Sequence, residues 1–176
     1  MRKLKMDELN RVSVEEFKTL PKIPVVLVLD NVRSLHNVGS AFRTGDAFRV
    51  EKIYLCGITG TPPNKEINKT ALGATDSVAW EHVPDTGELA QRLKADGYQI
   101  IALEQAEGST MLQDFKPDPE QQYAFVFGNE VFGVAEEVMS LTDTVVEIPQ
   151  FGTKHSLNIS VTVGVVVWDY LTKVEF

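Results

Sequence analysis

The chain has 176 residues, 43% hydrophobic and 24% charged, as expected of one folded domain with a sizeable core. Its apolar stretches, Val25–Leu29 and Val165–Trp168 among them, fall far short of the roughly 20 residues that span a bilayer, no signal-peptide core follows Met1-Arg2-Lys3, and the single Cys56 excludes an intramolecular disulfide. A cytoplasmic protein without a membrane partner is expected, and its net charge of -8, taken whole, argues against a nucleic-acid partner.

Ser13-Val14-Glu15-Glu16 has the form of a capping box and predicts a short helix that ends before Pro21. Residues 1–24 therefore read as a basic N-terminal extension with a short helix, and 25–176 as one domain. Val25–Asp30 is a continuous apolar run, the pattern of a strand buried on both faces. A polar loop over Asn31–His36 and a helix from Asn37 to Phe48 follow. Lys52–Cys56 reads as a strand, and Gly57–Lys69 as a loop because of Gly57, Gly60, Pro62, Pro63 and Asn64. Further along, Ser77–His82 reads as a strand and Thr86–Ala95 as a helix stopped by Gly97. Tyr98–Leu103 and Tyr123–Phe127 are strands, Val134–Leu141 a helix and Thr144–Ile148 a strand.

The segment Ser156–Leu171 is rich in β-branched residues, which favours strand. Its length, and the helical spacing of Leu157, Val161, Gly164, Val165 and Trp168, favour a buried helix instead. The alternation of elements predicts an α/β fold, with a mostly parallel sheet flanked by helices.

Several common chemistries of such folds are missing. No Gly-x-Gly-x-x-Gly follows the first strand, and there is neither a Walker loop nor a Gly-x-Ser-x-Gly elbow. His36, His82, His155 and Cys56 lack metal-ligand spacing, so no metal is expected.

Three polar segments remain, each just after an apolar strand. In the first, Asn31–Thr44, Asn37 is placed to cap a helix and Arg43 follows six residues on, so both can project toward one end of a site; Gly39 allows a close backbone approach. An ordinary cap with a surface arginine explains the same residues. The second, Gly128-Asn129-Glu130-Val131-Phe132-Gly133, lies where open α/β sheets bind ligands, at the carboxyl end of a strand; a tight turn into the next helix is the plainer alternative. The third, Ile148–Ser160, places Ser156, Asn158 and Ser160 within five residues. One of them is explained as a cap; the others need polar partners if they lie inside an apolar helix.

Together the three segments resemble the motifs of the SpoU, or TrmH-type, RNA ribose methyltransferases of the SPOUT superfamily. Asn37, Gly39 and Arg43 match the first motif. Gly128, Glu130 and Gly133 match the second. Ile148, Pro149, Gly152, Ser156, Leu157, Asn158 and Ser160 match the third. Ala71-Leu72-Gly73-Ala74 resembles another family segment, and the likeness runs from about Val25 to Leu171.

The resemblance implies a SPOUT-type sheet with a C-terminal deep trefoil knot, a rare exception among folds. It implies S-adenosylmethionine held by backbone near Leu103, Gly128, Ile148 and Leu157, and a homodimer through the C-terminal helix. It also implies methyl transfer to a ribose 2′-hydroxyl. It places Arg43 against the 2′-hydroxyl, as a general base or, since guanidinium is normally always protonated, as the group that holds the phosphate and the developing alkoxide; its protonation state stays open. Asn37, Glu130, Ser156 and Asn158 would orient the groups, and an ion pair between Glu130 and Arg43 is possible. An inactive RNA- or cofactor-binding dimer, or a base methyltransferase, stays open as an alternative.

The substrate implied is RNA, tRNA slightly ahead of rRNA, and the charge distribution allows it. Residues 1–70 hold 12 of the 17 Lys and Arg against 8 of the 25 acids, leaving 5 basic and 17 acidic residues for the rest. Lys3, Lys5, Arg11, Arg33, Lys65 and Lys69 are candidate phosphate contacts, though each also reads as a solvated surface charge.

Overall fold

A computed structural model describes residues 1–174. After a short 3-10 turn at Met6–Leu9 come α1 (Val14–Thr19), β1 (Ile23–Asp30), α2 (Leu35–Ala47), β2 (Val50–Cys56), α3 (Lys65–Ala71), α4 (Ala74–Ser77) and β3 (Trp80–Val83). The second half continues with α5 (Thr86–Ala95), β4 (Tyr98–Leu103), β5 (Thr110–Met111), β6 (Gln122–Phe127), α6 (Glu136–Leu141), β7 (Thr144–Glu147) and α7 (Ile159–Val174). The seven strands form one sheet in the order β3-β2-β1-β6-β4-β7-β5, and every pairing is parallel.

Burial on both faces explains the near-continuous apolar runs of the central strands. Val25, Leu27 and Leu29 of β1 turn to one face, where they join Val38 and Phe42 of α2 and Val163, Val166, Val167 and Tyr170 of α7. Val26 and Val28 turn to the other, against Leu89 and Leu93 of α5 and Val138 of α6. Each such fully buried side chain contributes about 1.5–3 kcal/mol by leaving water. No helix of the described residues is long and apolar enough to cross a membrane.

The boundaries depart from the sequence expectations where capping decides them. Ser34, not Asn37, caps α2: its Oγ accepts from the Asn37 N–H at 3.3 Å. Lys65 and Lys69 belong to a helix rather than a loop, because Asn64 Oδ1 accepts from the Glu66 and Ile67 N–H groups. Ser77 ends α4 instead of opening a strand. The C-terminal helix starts at Ile159, so Ser156, Leu157 and Asn158 precede it. Asn158 Oδ1 accepts from Ser160 N–H at 2.8 Å and closes the first turn.

At the carboxyl end of β1 lies the fully buried Asp30. Its Oδ1 accepts from Thr86 Oγ1 at 2.6 Å and Asn31 Nδ2 at 2.9 Å, and its Oδ2 from the Ala135 N–H at 2.9 Å. One carboxylate thus fastens the starts of α5 and α6 to the sheet. Asp30→Ala leaves the buried Thr86 hydroxyl and the Ala135 N–H without their acceptor. A loss of about 2–4 kcal/mol in urea unfolding is expected; a loss below about 0.5 kcal/mol would contradict the role assigned to this network.

Candidate functional site

β1 is where the sheet reverses its direction of growth, with β2 and β3 on one side and the later strands on the other. Open parallel sheets bind ligands beyond the carboxyl ends of their strands near such a point. Here the segments after β4, β6 and β7 enclose a cavity of about 460 Å³, within the roughly 300–1,000 Å³ of small-molecule and cofactor sites. Leu103, Gly128, Ile148 and Leu157 all line it, and so do Glu130, Ser156 and Asn158. Gln105 Nε2 donates to the His155 carbonyl at 2.9 Å, tying the segment before α7 to the one after β4.

The first polar segment is bound to the second by three side chains. Glu130 Oε2 accepts from the Arg33 N–H and its Oε1 from the Ser34 N–H, both at 3.0 Å. The buried Asn37 adds a bond from Nδ2 to Glu130 Oε1 at 3.3 Å. From the same turn, Asn129 Nδ2 donates to the Asn31 carbonyl at 2.8 Å, while its Oδ1 accepts from the Val131 and Phe132 N–H groups. Burial alone would raise the Glu130 carboxyl, but the Arg33 and Ser34 N–H groups outweigh it and hold the carboxyl below the ordinary range.

Arg43 lies elsewhere. It is exposed, does not line the cavity, and its side chain makes no hydrogen bond or ion pair with any described residue. An ion pair between Glu130 and Arg43, possible from the sequence, does not form within the chain. Six residues at about 100° each turn Arg43 roughly 120° away from Asn37, so the two do not face one end of a common site. Gly39 does serve a close approach, but to α3: a Cβ there would lie 2.2 Å from the Ile67 carbonyl oxygen.

A family model described as "SpoU rRNA Methylase family" matches residues 24–168. The chain belongs to the SpoU family. It is 31% identical over 159 residues to the 23S rRNA (guanosine-2'-O-)-methyltransferase RlmB of Neisseria meningitidis serogroup B, covering 90% of this chain and 62% of that protein. It is also 31% identical over 163 residues to the tRNA (guanosine(18)-2'-O)-methyltransferase of Thermus thermophilus, covering 92% and 81%. An S-adenosylmethionine-bound rRNA methyltransferase from Sinorhizobium meliloti shares the fold, with TM-score 0.80, 24% identity, and coverage of 89% and 59%.

The SpoU motifs point to only part of this pocket. Glu104, Asn129, Glu147 and Thr162 also line it and were not singled out from the sequence. Glu104 and Glu147 sit at the ends of predicted strands, which is a usable signal. Thr162 needed the true start of α7. Cys56 is buried, which pushes its thiol up to about 12 and leaves it protonated and inert. The candidate RNA contacts Lys3, Lys5, Arg11, Arg33, Lys65 and Lys69 are all exposed. Lys69 is engaged by Glu66 at 2.7 Å, and His36 also meets Glu66, at 3.1 Å, so α3 lies beside the start of α2.

The lowered Glu130 carboxyl has a consequence for acid stability. A carboxylate of this kind stabilises the fold above its unfolded value, about 4.3, and loses that contribution as pH falls through the lowered folded value. Wild type and Glu130→Gln should therefore differ most near neutral pH in urea unfolding, and the gap should close in acid. A gap unchanged between neutral pH and about pH 3 would contradict the assignment.

Proposed function

We propose that the protein transfers a methyl group from S-adenosylmethionine to a ribose 2′-hydroxyl of RNA, tRNA ahead of rRNA, and that it works as a homodimer. The observation that carries this is the convergence of the second and third SpoU motifs on one cavity at the strand ends. The tRNA preference is supported by the larger share of the Thermus relative that the chain covers. A cytoplasmic location follows from such a substrate.

The cavity fits the cofactor chemically. Leu103, Phe127, Val146, Ile148 and Leu157 give it an apolar wall suited to adenine, and Glu104, Glu130 and Glu147 give it negative charge for a cationic ligand. When bound, S-adenosylmethionine supplies an electrophilic methyl group on a sulfonium centre. Leu103, Gly128, Ile148 and Leu157 hold it; Ser156 and Asn158 orient ribose and cofactor at the cavity edge. Asn37 and Glu130 fix the first motif against the second. Arg43, permanently charged, holds the phosphate and stabilises the negative charge that develops on the ribose oxygen. Arg33 and Lys65, near the start of α2, and Lys3, Lys5 and Arg11 offer the phosphate backbone a local basic face, with Lys69 partly committed to Glu66.

The homodimer rests on α7. Val161, Val165 and Trp168 are 50%, 38% and 59% exposed and fall on one helical stripe. Ala47, one turn beyond Arg43 on the same face of α2, lines a shallow cavity with Trp168, so Arg43 lies one helical turn from a residue that borders the Trp168 end of this stripe. A dimer built there puts Arg43 at the subunit boundary rather than in its own chain's pocket. The knot is supported by the order of the sheet, in which β6 enters between β1 and β4, and β7 between β4 and β5.

The direct test is methyl transfer from labelled S-adenosylmethionine to tRNA and rRNA transcripts, followed by alkaline hydrolysis. A label in alkali-resistant dinucleotides is expected; a label released as a modified base in mononucleotides would overturn the ribose assignment. Arg43→Ala should lose at least about 100-fold in turnover while binding the cofactor normally in calorimetry. Near-normal turnover would remove Arg43 from the mechanism. Trp168→Lys should shift the protein from dimer to monomer in sedimentation velocity, and an unchanged dimer would place the interface elsewhere.

A further inference from the structure

The charge of the cavity is one-sided. Glu104, Glu130 and Glu147 line it and no Lys or Arg does, among the described residues. Two of the three carboxylates have other work. Glu130 accepts from the Arg33 and Ser34 N–H groups and Asn37 Nδ2, tying two loops together, and Glu147 Oε2 accepts from Ser109 Oγ at 2.8 Å. Glu104 is held by backbone alone: Oε1 accepts from the Gln105 N–H at 2.9 Å and Oε2 from the Val134 N–H at 3.1 Å. A carboxylate oxygen accepts about two hydrogen bonds, so each keeps a free lone pair. No cationic side chain pairs with Glu104 among the described residues.

The backbone is cleared for this carboxylate. Gly133 has φ +70°, and a Cβ there would lie 2.1 Å from Glu104 Oε2. The second motif's closing glycine is thus the residue against which Glu104 packs. With no cationic side chain beside it, this carboxylate leaves the opposite charge to be supplied by a ligand in the cavity.

We infer that Glu104 is a specificity-determining residue of the pocket, favouring the cationic methyl donor S-adenosylmethionine over its neutral product, S-adenosylhomocysteine. The inference rests on the cofactor assignment proposed above. The two molecules share one framework and differ by a methyl group and one positive charge. Apolar contacts and backbone hydrogen bonds serve both alike; the Glu104 field acts on the difference. Once the methyl group has left, the pocket holds a ligand that no longer answers its charge, and exchange for a fresh donor is favoured.

Calorimetric titration of the intact protein with each molecule tests this. Wild type should bind S-adenosylmethionine more tightly, and Glu104→Gln should reduce the ratio of the two dissociation constants by about tenfold. Glu104→Asp, which keeps the charge, should retain most of the preference. In wild type the ratio should also shrink as salt rises. Equal weakening of both ligands in Glu104→Gln would show that the residue only shapes its loop and would overturn the inference. So would a wild-type preference indifferent to salt, a measurement that stands even if Glu104→Gln fails to fold. Wild type that binds neither molecule would instead remove the cofactor assignment itself, and this inference with it.

Discussion

The site depends on one carboxylate that joins two loops nearly a hundred residues apart. Glu130 gathers the N–H groups of Arg33 and Ser34 and the amide of Asn37. Neither loop has a ladder of its own to satisfy these donors, and a buried or half-buried N–H without an acceptor is expensive. The tie also fixes where α2 begins, because Ser34, which donates to Glu130, is the residue that caps it. Asn129 and Asp30 repeat the device on either side, to the Asn31 carbonyl and the Ala135 N–H. Three polar side chains at two strand ends thus tie the turn after β1 to the turn after β6, which forms one wall of the cavity.

That wall is acidic, and so is the molecule, yet the proposed substrate is a polyanion. The conflict is resolved by separating the charges. The carboxylates Glu104 and Glu147 line the cavity, whereas Arg33, Lys65 and the N-terminal Lys3 and Lys5 are exposed on the outside. With a Debye length of about 8 Å at physiological salt, a phosphate responds to the charges nearest it more than to the net charge. A net charge of -8 therefore weakens long-range attraction without forbidding a local contact.

Much of the fold could be read from the chain, because parallel strands buried on both faces announce themselves as apolar runs. β4 and α5 fall at the expected residues, and the core strands within one or two positions. What could not be read was set by groups that local pattern does not encode. β5, with two residues, and α4, with four, are too short to carry a period. α3 was hidden by the turn-forming residues before it, of which Asn64 proves to be its cap. The segments that build the cavity were legible as polar interruptions after strands, but their internal wiring was not. That Asn37 turns away from Arg43 follows from their six-residue spacing on α2, but its bond to Glu130, 93 residues further along the chain, is not encoded in any local pattern.

The C-terminal helix connects these observations. One face of α7 supplies Val163, Val166, Val167 and Tyr170 to the core. Its first residues, Ile159 and Thr162, line the cavity, and Asn158 both caps it and borders the same space. Its remaining face carries Val161, Val165 and Trp168 into solvent, starting one residue short of Thr162 and ending where Trp168 meets Phe48 at the end of α2 with ring centroids 5.9 Å apart. At 1.5 Å per residue this stripe covers only about 10 Å of helix, so it is continuous with the cavity rim at one end and with the Arg43 face of α2 at the other. A second copy docked on the stripe would therefore adjoin both the pocket and the arginine that stands outside it. In the proposed dimer, the apolar contact of two helices would set the cavity of one chain near the Arg43 face of the other.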